Sequence, residues 1–470
     1  MVNKDFRKYA HQLADKIADY YEDVEKYPVK SKVQPGEIIN LLPDSAPASS
    51  EDFNSIMEDF EKIIMPGITH WQHPRFHAYF PANASFPSVL GEMLTAALGA
   101  QCMVWETSPA AAELEEKMML WLRRLLGLPN DFEGVIQDTA STATLVSILT
   151  AREHYSNYDI NRNGFNSAEN YRIYCSTEAH SSIEKAVKIS GIGKSNLVKI
   201  PVDDEFKMLP YELADAIIMD IQRGYRPLCI VAALGTTGST AVDPLEEIGK
   251  IAKEYDIWLH IDAAYAGSAL ILPEYKHLLK GIEYADTFVF NPHKWLFTNF
   301  DCSAYFVRDK GALIRTFEIM PEYLKTQVDS KVNNYRDWGI ALGRRFRALK
   351  LWFVLRSFGV IGLQEKIREH IGIANELRKE IESRDNFEIL APVNFNVICF
   401  RYKPYGVEDD EQLNKINEDL LNKINSSGEA YLTHTKLNGK YAIRMVIAQT
   451  NVTKGHVQKT WELILNLIKK

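Results

Sequence analysis

Lys294 and Asp262 are the two residues whose chemistry stands out first. Lys294 lies in Asn291-Pro292-His293-Lys294-Trp295-Leu296, directly after the apolar run Thr287-Phe288-Val289-Phe290. The run reads as a strand, Pro292 ends it, and an amine is delivered at its mouth beside an imidazole. About thirty residues upstream, Trp258-Leu259-His260-Ile261-Asp262 is a second apolar run ending on a carboxylate, followed by Ala263-Ala264-Tyr265. A carboxylate closing so apolar a segment needs a partner, a structural salt bridge or a ligand. An amine and a carboxylate at two neighbouring strand mouths suit pyridoxal phosphate (PLP): the amine forms a Schiff base and the carboxylate keeps the pyridine nitrogen protonated.

Other residues fall into the same pattern. Asp138-Thr139-Ala140-Ser141-Thr142 lies between a short apolar run and a helical segment. Small hydroxylated residues there offer backbone N–H groups and a positive helix end to a phosphate. The same turn also reads as plain N-capping by Asp138 or Thr139. His180 follows another strand-like run, and Ser181-x-x-Glu184 has the form of a capping box. An imidazole there can stack on a flat ring or serve as a structural histidine. Thr237, in Gly235-Thr236-Thr237-Gly238, offers a hydroxyl at a strand end or a turn. No metal site is expected. His260 and Asp262 lack a third ligand, and Pro74 and Pro81 deny His70, His73 and His77 a helical face.

The elements that must position these residues alternate from about 85 to 310. Helical segments are expected at 89–98, 109–126, 140–155, 182–190, 210–223 and 244–254. Strands are expected at 134–137, 173–176, 197–200, 229–234, 258–262, 287–290 and 303–307. This is an α/β pattern with a mostly parallel sheet covered on both faces, whose ligands gather at the carboxyl ends of the strands. Helices at 4–26 and 51–65, the second stopped by Pro66-Gly67, form an N-terminal arm. Long helices are expected at 339–357 and 362–384, then a small α+β region with helices near 409–427 and 454–468. The expected division is an arm over 1–84, a large domain over 85–360 and a small domain over 361–470.

Composition narrows the class. Hydrophobic residues make up 46% and charged residues 25%, as in an ordinary soluble globular protein. The net charge of -8 and the lack of a Lys/Arg block argue against nucleic acid and lipid. No run is long and uncharged enough to span a bilayer, and the start shows no signal-peptide core. Five cysteines without a CxxC pair read as buried thiols of a cytoplasmic protein.

Taken together the motifs resemble the group II PLP-dependent decarboxylases, specifically the aromatic L-amino acid decarboxylases. The likeness runs from about Phe6 to Leu467. It is dense in His70-Trp71-Gln72-His73-Pro74-Arg75-Phe76-His77-Ala78-Tyr79-Phe80-Pro81, in 258–268, in 291–304, and in Asp337-Trp338-Gly339-Ile340-Ala341-Leu342-Gly343-Arg344-Arg345-Phe346-Arg347. The resemblance implies PLP fold type I, the aspartate-aminotransferase-like architecture, with a seven-stranded sheet. It also implies an obligate homodimer with shared active sites. By position Lys294 is similar to the Schiff-base lysine, Asp262 to the pyridinium partner and His180 to the ring-stacking base. Ala140, Ser141 and Asn291 match the family's phosphate-side contacts with His293 adjacent, Thr139 is counted with the cofactor-binding residues, and Thr237 and Ala264 match the remaining cofactor contacts. Trp71, Tyr79, Phe80, Pro81, Ala82 and Met103 match the pocket for an aromatic side chain.

Tyr323 aligns with the family's catalytic-loop tyrosine, inside a polar stretch that reads as a mobile loop. Members with phenylalanine there tend to be aromatic acetaldehyde synthases, so Tyr323 and His180 imply a decarboxylase that releases an arylethylamine and CO₂. Gly343 stands where serine often accompanies phenolic substrates. That implies tryptophan or 5-hydroxytryptophan before DOPA, tyrosine or phenylalanine. The chain departs from the family at Ala82, where threonine is common, and at Asp138 and Thr142.

Overall fold

The computed structural model describes residues 3–166, 170–319 and 331–469. The chain divides into two compact units, one of Ala82–Ile371 with Ala391–Val397, the other of Met1–Pro81 with Gly372–Leu390 and Ile398–Lys470.

The first unit is built on seven strands: β1 (Glu133–Gln137), β2 (Tyr171–Ser176), β3 (Leu197–Ile200), β4 (Arg226–Ala233), β5 (Trp258–Asp262), β6 (Thr287–Phe290) and β7 (Ser303–Val307). Their order is β1-β7-β6-β5-β4-β2-β3. β7 runs antiparallel to both neighbours and the other pairs are parallel. β6 and β7 are buried at every position, as expected of strands covered on both faces. The helix Ala140–Tyr155 packs here. Its Ala143 and Val146 join Val135, Val289 and Tyr305 in one core, and its Ile148 and Ala151 join Ile173, Ile183 and Val231 in another. Cutting one such side chain to alanine typically costs about 2–5 kcal/mol.

Helices Pro109–Leu126 and Ala140–Tyr155 have their expected bounds. The helix expected from 339 does not begin there. It starts at Arg347 and runs to Glu382, interrupted by the left-handed Gly359 (φ 64°). Tertiary bonds claim the preceding segment. Arg344 pairs with buried Glu115 at 2.5 Å, and its N–H donates to Gln101 Oε1 at 2.6 Å. A Cβ at Gly339 would come within 2.8 Å of the Gln137 amide, whose Nε2 donates to Trp338 O. Such bonds override a helical pattern.

In the second unit the strands are β8 (Phe387–Ile389), β9 (Val397–Tyr402), β10 (Thr433–Leu437) and β11 (Lys440–Val446), in the order β10-β11-β9-β8. Helices Asp410–Ser427 and Lys454–Leu467 accompany them. The N-terminal segment, read from sequence as a separate arm, groups with these residues. Phe76 bridges to Tyr431, His77 N–H donates to Tyr431 O, and Val446 N–H donates to His77 O. The helix expected at 51–65 is regular only over Phe53–Asp59, then widens over Phe60–Ile64. His70, His73 and His77 turn to separate partners: the Tyr20 hydroxyl, the Arg75 N–H and the Val446 carbonyl. All five cysteines are buried, with no disulfide among the described residues.

Candidate active site

Three strand exits of the first unit carry the candidate groups. β5 ends on half-buried Asp262, whose Oδ1 accepts the Ala264 N–H at 3.0 Å. Its Oδ2 accepts no protein hydrogen bond among the described residues. The exits of β5 and β6 are stitched together, since Asn291 N–H donates to Ala264 O at 3.0 Å. Small residues allow this closeness: a Cβ at Gly267 would lie 2.5 Å from Phe290 Cβ, and one at Gly235 (φ +96°) 2.5 Å from Ala266 Cβ. Lys294 sits on the one-turn helix Pro292–Trp295, its N–H bonded to Asn291 O. Asn83 Nδ2 donates to Lys294 O at 2.6 Å, and Asn83 N–H to His293 O. Trp295 anchors the turn from below. Its ring stacks on Tyr265 at 5.1 Å and its indole N–H donates to His370 Nδ1.

His180 follows β2. Its Nδ1 accepts the Ser182 N–H at 3.1 Å and lies 2.8 Å from Ser182 Oγ. That bond leaves the proton of the neutral ring on Nε2. The ring is solvent-accessible yet crowded by protein. Its pKa is lowered, first by desolvation, then by Lys294 and Lys185, against the opposing pull of Asp262. Imidazole, carboxylate and amine therefore share one electrostatic neighbourhood. The capping box expected of Ser181 and Glu184 does not form. Ser181 is itself helical (φ -61°, ψ -16°), and Glu184 pairs with Lys194 at 3.0 Å. His180 and Ser182 occupy the helix end instead.

The candidate anion side is the N-terminus of Ala140–Tyr155. Thr139 caps it, Oγ1 accepting the Thr142 N–H, while Asp138 Oδ1 takes the Thr139 N–H. Ser141 and Thr237 are exposed. An amine, a carboxylate with an uncommitted oxygen, an imidazole and a helix N-terminus make up the donor set that PLP requires, and these residues fit it.

A family model described as the pyridoxal-dependent decarboxylase conserved domain matches residues 35–403. A tyrosine decarboxylase of Narcissus pseudonarcissus is 43% identical over 98% of this chain and 94% of its own. A phenylacetaldehyde synthase of Arabidopsis thaliana is also 43% identical, over 99% of this chain and 96% of its own. The crystal structure of Catharanthus roseus tryptophan decarboxylase in complex with L-tryptophan superposes with a TM-score of 0.93 at 40% identity, covering 99% and 98% of the two chains.

The chain is a pyridoxal-dependent decarboxylase.

As a group II decarboxylase of fold type I it takes PLP as cofactor and acts as a carboxy-lyase. In this decarboxylase Thr139, Ala140, Ser141, His180, Thr237, Asp262, Ala264, Asn291, His293 and Lys294 all belong to the first compact unit, as do Ala82, Met103 and Gly343. His293, expected beside the phosphate, turns its ring inward. Nδ1 accepts the Cys302 N–H at 2.9 Å, and burial holds its pKa down at about 3. Asn291 Oδ1 accepts from Ser303 Oγ at 2.6 Å. Trp71, Tyr79, Phe80 and Pro81 belong to the other unit. There Trp71 stacks on Tyr79 at 5.8 Å and both rings stay exposed, while Arg444 lies 4.6 Å from the Phe80 ring. Tyr323 lies outside the described residues. Sequence reasoning missed Asn83, Ser182 and Ser303, short polar residues that hold the Lys294 carbonyl, the His180 ring and the Asn291 amide respectively. Of these only Ser182 had a local signal, its place two residues after His180.

Proposed function

We propose that this decarboxylase removes the α-carboxylate of aromatic L-amino acids, releasing CO₂ and the arylethylamine, with tryptophan or 5-hydroxytryptophan preferred. The observation that carries the reading is the convergence of Lys294, Asp262 and His180 at three strand exits. The tyrosine, tryptophan and aromatic-amino-acid specificities of relatives support the substrate class. PLP supplies an electron-withdrawing ring that takes up the electron pair left when CO₂ departs. Lys294 Nζ would hold the cofactor and yield it to the substrate amine. Asp262 would keep a proton on the ring nitrogen, and the His180 imidazole would pack against the ring. The Tyr323 hydroxyl delivers the proton to Cα.

Gly343 supports the preference for a bicyclic ring. A Cβ there would meet only the Gln101 amide, at 3.4 Å, so glycine keeps this space open rather than being demanded by packing. A homodimer is supported by the helix Phe86–Leu98, on which Phe86, Leu90, Met93, Leu94 and Leu98 form one exposed apolar stripe. Sedimentation at the mass of a single chain would reject the dimer. Five buried cysteines without a disulfide support a cytoplasmic setting. Among the described residues no helix is long and apolar enough to cross a membrane.

The second reading is an aromatic acetaldehyde synthase, favoured by the synthase relatives at similar identity. One experiment separates the two: incubation of the holoenzyme with mixed aromatic amino acids, with products identified by mass. The expected products are CO₂ and mainly the indole ethylamine. Aldehyde and peroxide in its place would establish the synthase. In the same assay Tyr323→Phe diverts product from amine to aldehyde, and an unchanged amine yield rejects the proton-donor role.

A further inference from the structure

A chain of buried polar side chains crosses the core beneath Asp262. Trp258 Nε1–H donates to Ser147 Oγ at 3.0 Å, and Ser147 Oγ lies 2.7 Å from Thr287 Oγ1. Thr287 Oγ1 is 2.9 Å from His260 Nδ1, and His260 Nε2 is 3.3 Å from Thr144 Oγ1. Thr144, Ser147, His260 and Thr287 are wholly buried, and Trp258 nearly so. Interior strands of a parallel sheet are normally filled with aliphatic side chains. A buried imidazole between hydroxyls is costly unless each group finds a partner, and here each does.

The chain joins β5, β6 and the helix Ala140–Tyr155. Thr144 lies one turn below Ala140, so its bond sets the height of the helix end against β5. Ser147, one turn further on, fixes the helix's rotation against β6. His260 and Asp262 are two residues apart on β5 and share a face. The Asp262 charge is felt at His260, but burial holds the imidazole's pKa down at about 4. His260 thus stays neutral at physiological pH and does not act as the counter-ion of Asp262.

We propose that His260 is a positioning residue, whose hydrogen bonds to Thr144 and Thr287 hold the Asp262 carboxylate in register with the helix N-terminus that receives the cofactor phosphate. The inference rests on the proposed role of Asp262 and on the phosphate-side position that the family resemblance gives Ser141. Aliphatic packing alone would hold the helix on the sheet, but not at a defined height and rotation. A cofactor gripped at two ends is sensitive to shifts of about 0.5 Å.

The test uses two variants that keep volume, Thr144→Val, which removes the bond to His260 Nε2, and Thr287→Val, which removes the bonds to His260 Nδ1 and Ser147 Oγ, and His260→Gln, whose amide offers a donor and an acceptor. Three quantities are read: the thermal midpoint of the apoenzyme, the PLP dissociation constant, and the pH midpoint of the bound cofactor's visible absorbance. Both valine variants are expected to weaken PLP by roughly 10-fold or more, the scale of lost outer-shell support at metal sites, and to shift the pH midpoint. His260→Gln recovers part of both. Lower apoenzyme stability with an unchanged dissociation constant and pH midpoint overturns the proposal and leaves His260 a core filler. Failure of the parent enzyme to bind PLP would sink the site assignment instead.

Discussion

Asp262→Asn lowers kcat by at least about 10²- to 10³-fold while KM for the amino acid changes little. Asparagine keeps the shape and the Oδ1 acceptor for the Ala264 N–H at 3.0 Å, so the turn after β5 survives. On the proposed role, what is lost is the negative charge beside the cofactor's ring nitrogen. Without it that nitrogen gives up its proton, and the ring no longer draws electrons from the α-carbon. Removing one preorganised electrostatic partner costs about 3–4 kcal/mol of transition-state stabilisation. In the proposed role Asp262 serves the cofactor ring and not the amino acid, so the loss falls on kcat rather than on binding. Steady-state release of CO₂ measures it. A cofactor analogue alkylated at the ring nitrogen, and therefore permanently cationic, is expected to restore part of the rate to Asp262→Ala. A fall smaller than about tenfold, or no response to the analogue, would refute the assignment.

The strand exits that carry the candidate groups are legible in the sequence because a sheet buried on both faces writes each strand as an apolar run. The run must end where a polar group first reaches solvent or ligand. β3, β5, β6 and β7 occupy the residues that this logic selects. The helices Pro109–Leu126 and Ala140–Tyr155 are bounded by equally local signals, Pro109 and Thr139 at their starts and Gly127 after the first. Where backbone preference met a competing long-range bond, the pattern misled. Residues 339–346 look helical, yet the Arg344–Glu115 pair and the packing of Gly339 on Gln137 hold them in another course. The run at 441–446 within β11 is legible, but its hairpin partner β10 is not, for a different reason. β10 alternates exposed and half-buried residues and so lacks an apolar run. Its signal is the turn itself, Asn438 and Gly439, both at positive φ (49° and 80°), the arrangement a tight hairpin favours.

The candidate site shows the same division. Lys294 and Asp262 announce themselves because each contradicts its apolar surroundings. Asn83 does not, since its meaning comes from the Lys294 carbonyl 211 residues away. His260 is visible as the neighbour of Asp262, but Thr144 and Thr287 are ordinary residues of a helix and a strand until the fold places them on its two nitrogens. The N-terminal segment is similar. Its helices are readable from periodicity, whereas its grouping with β10 and β11 rests on backbone bonds such as His77 to Tyr431.

Lys294→Ala abolishes covalent capture of the cofactor, and turnover falls by roughly 10⁴- to 10⁶-fold, the scale seen when a covalent nucleophile is removed. The substitution leaves the fold intact, because the one-turn helix is held through its backbone, by Asn83 Nδ2 at the Lys294 carbonyl and by Asn291 at the Lys294 N–H. An unchanged thermal midpoint of the apoenzyme checks that point. Borohydride reduction of the parent holoenzyme followed by peptide mass analysis is expected to place the pyridoxyl group on Lys294. The competing amine is Lys350, whose pKa burial lowers to about 8, which makes it the better nucleophile near neutral pH by that criterion alone. Geometry decides against it. The Lys350 side chain is wholly buried, with Nζ 3.0 Å from Glu92, and it does not stand at a strand exit. Lys294 shares the electrostatic neighbourhood of His180 with Asp262, where a ring held by a carboxylate at one end and a helix N-terminus at the other would present its aldehyde. An adduct on Lys350, or a Lys294→Ala enzyme that still turns over at the parent rate, would overturn the whole placement of the reaction.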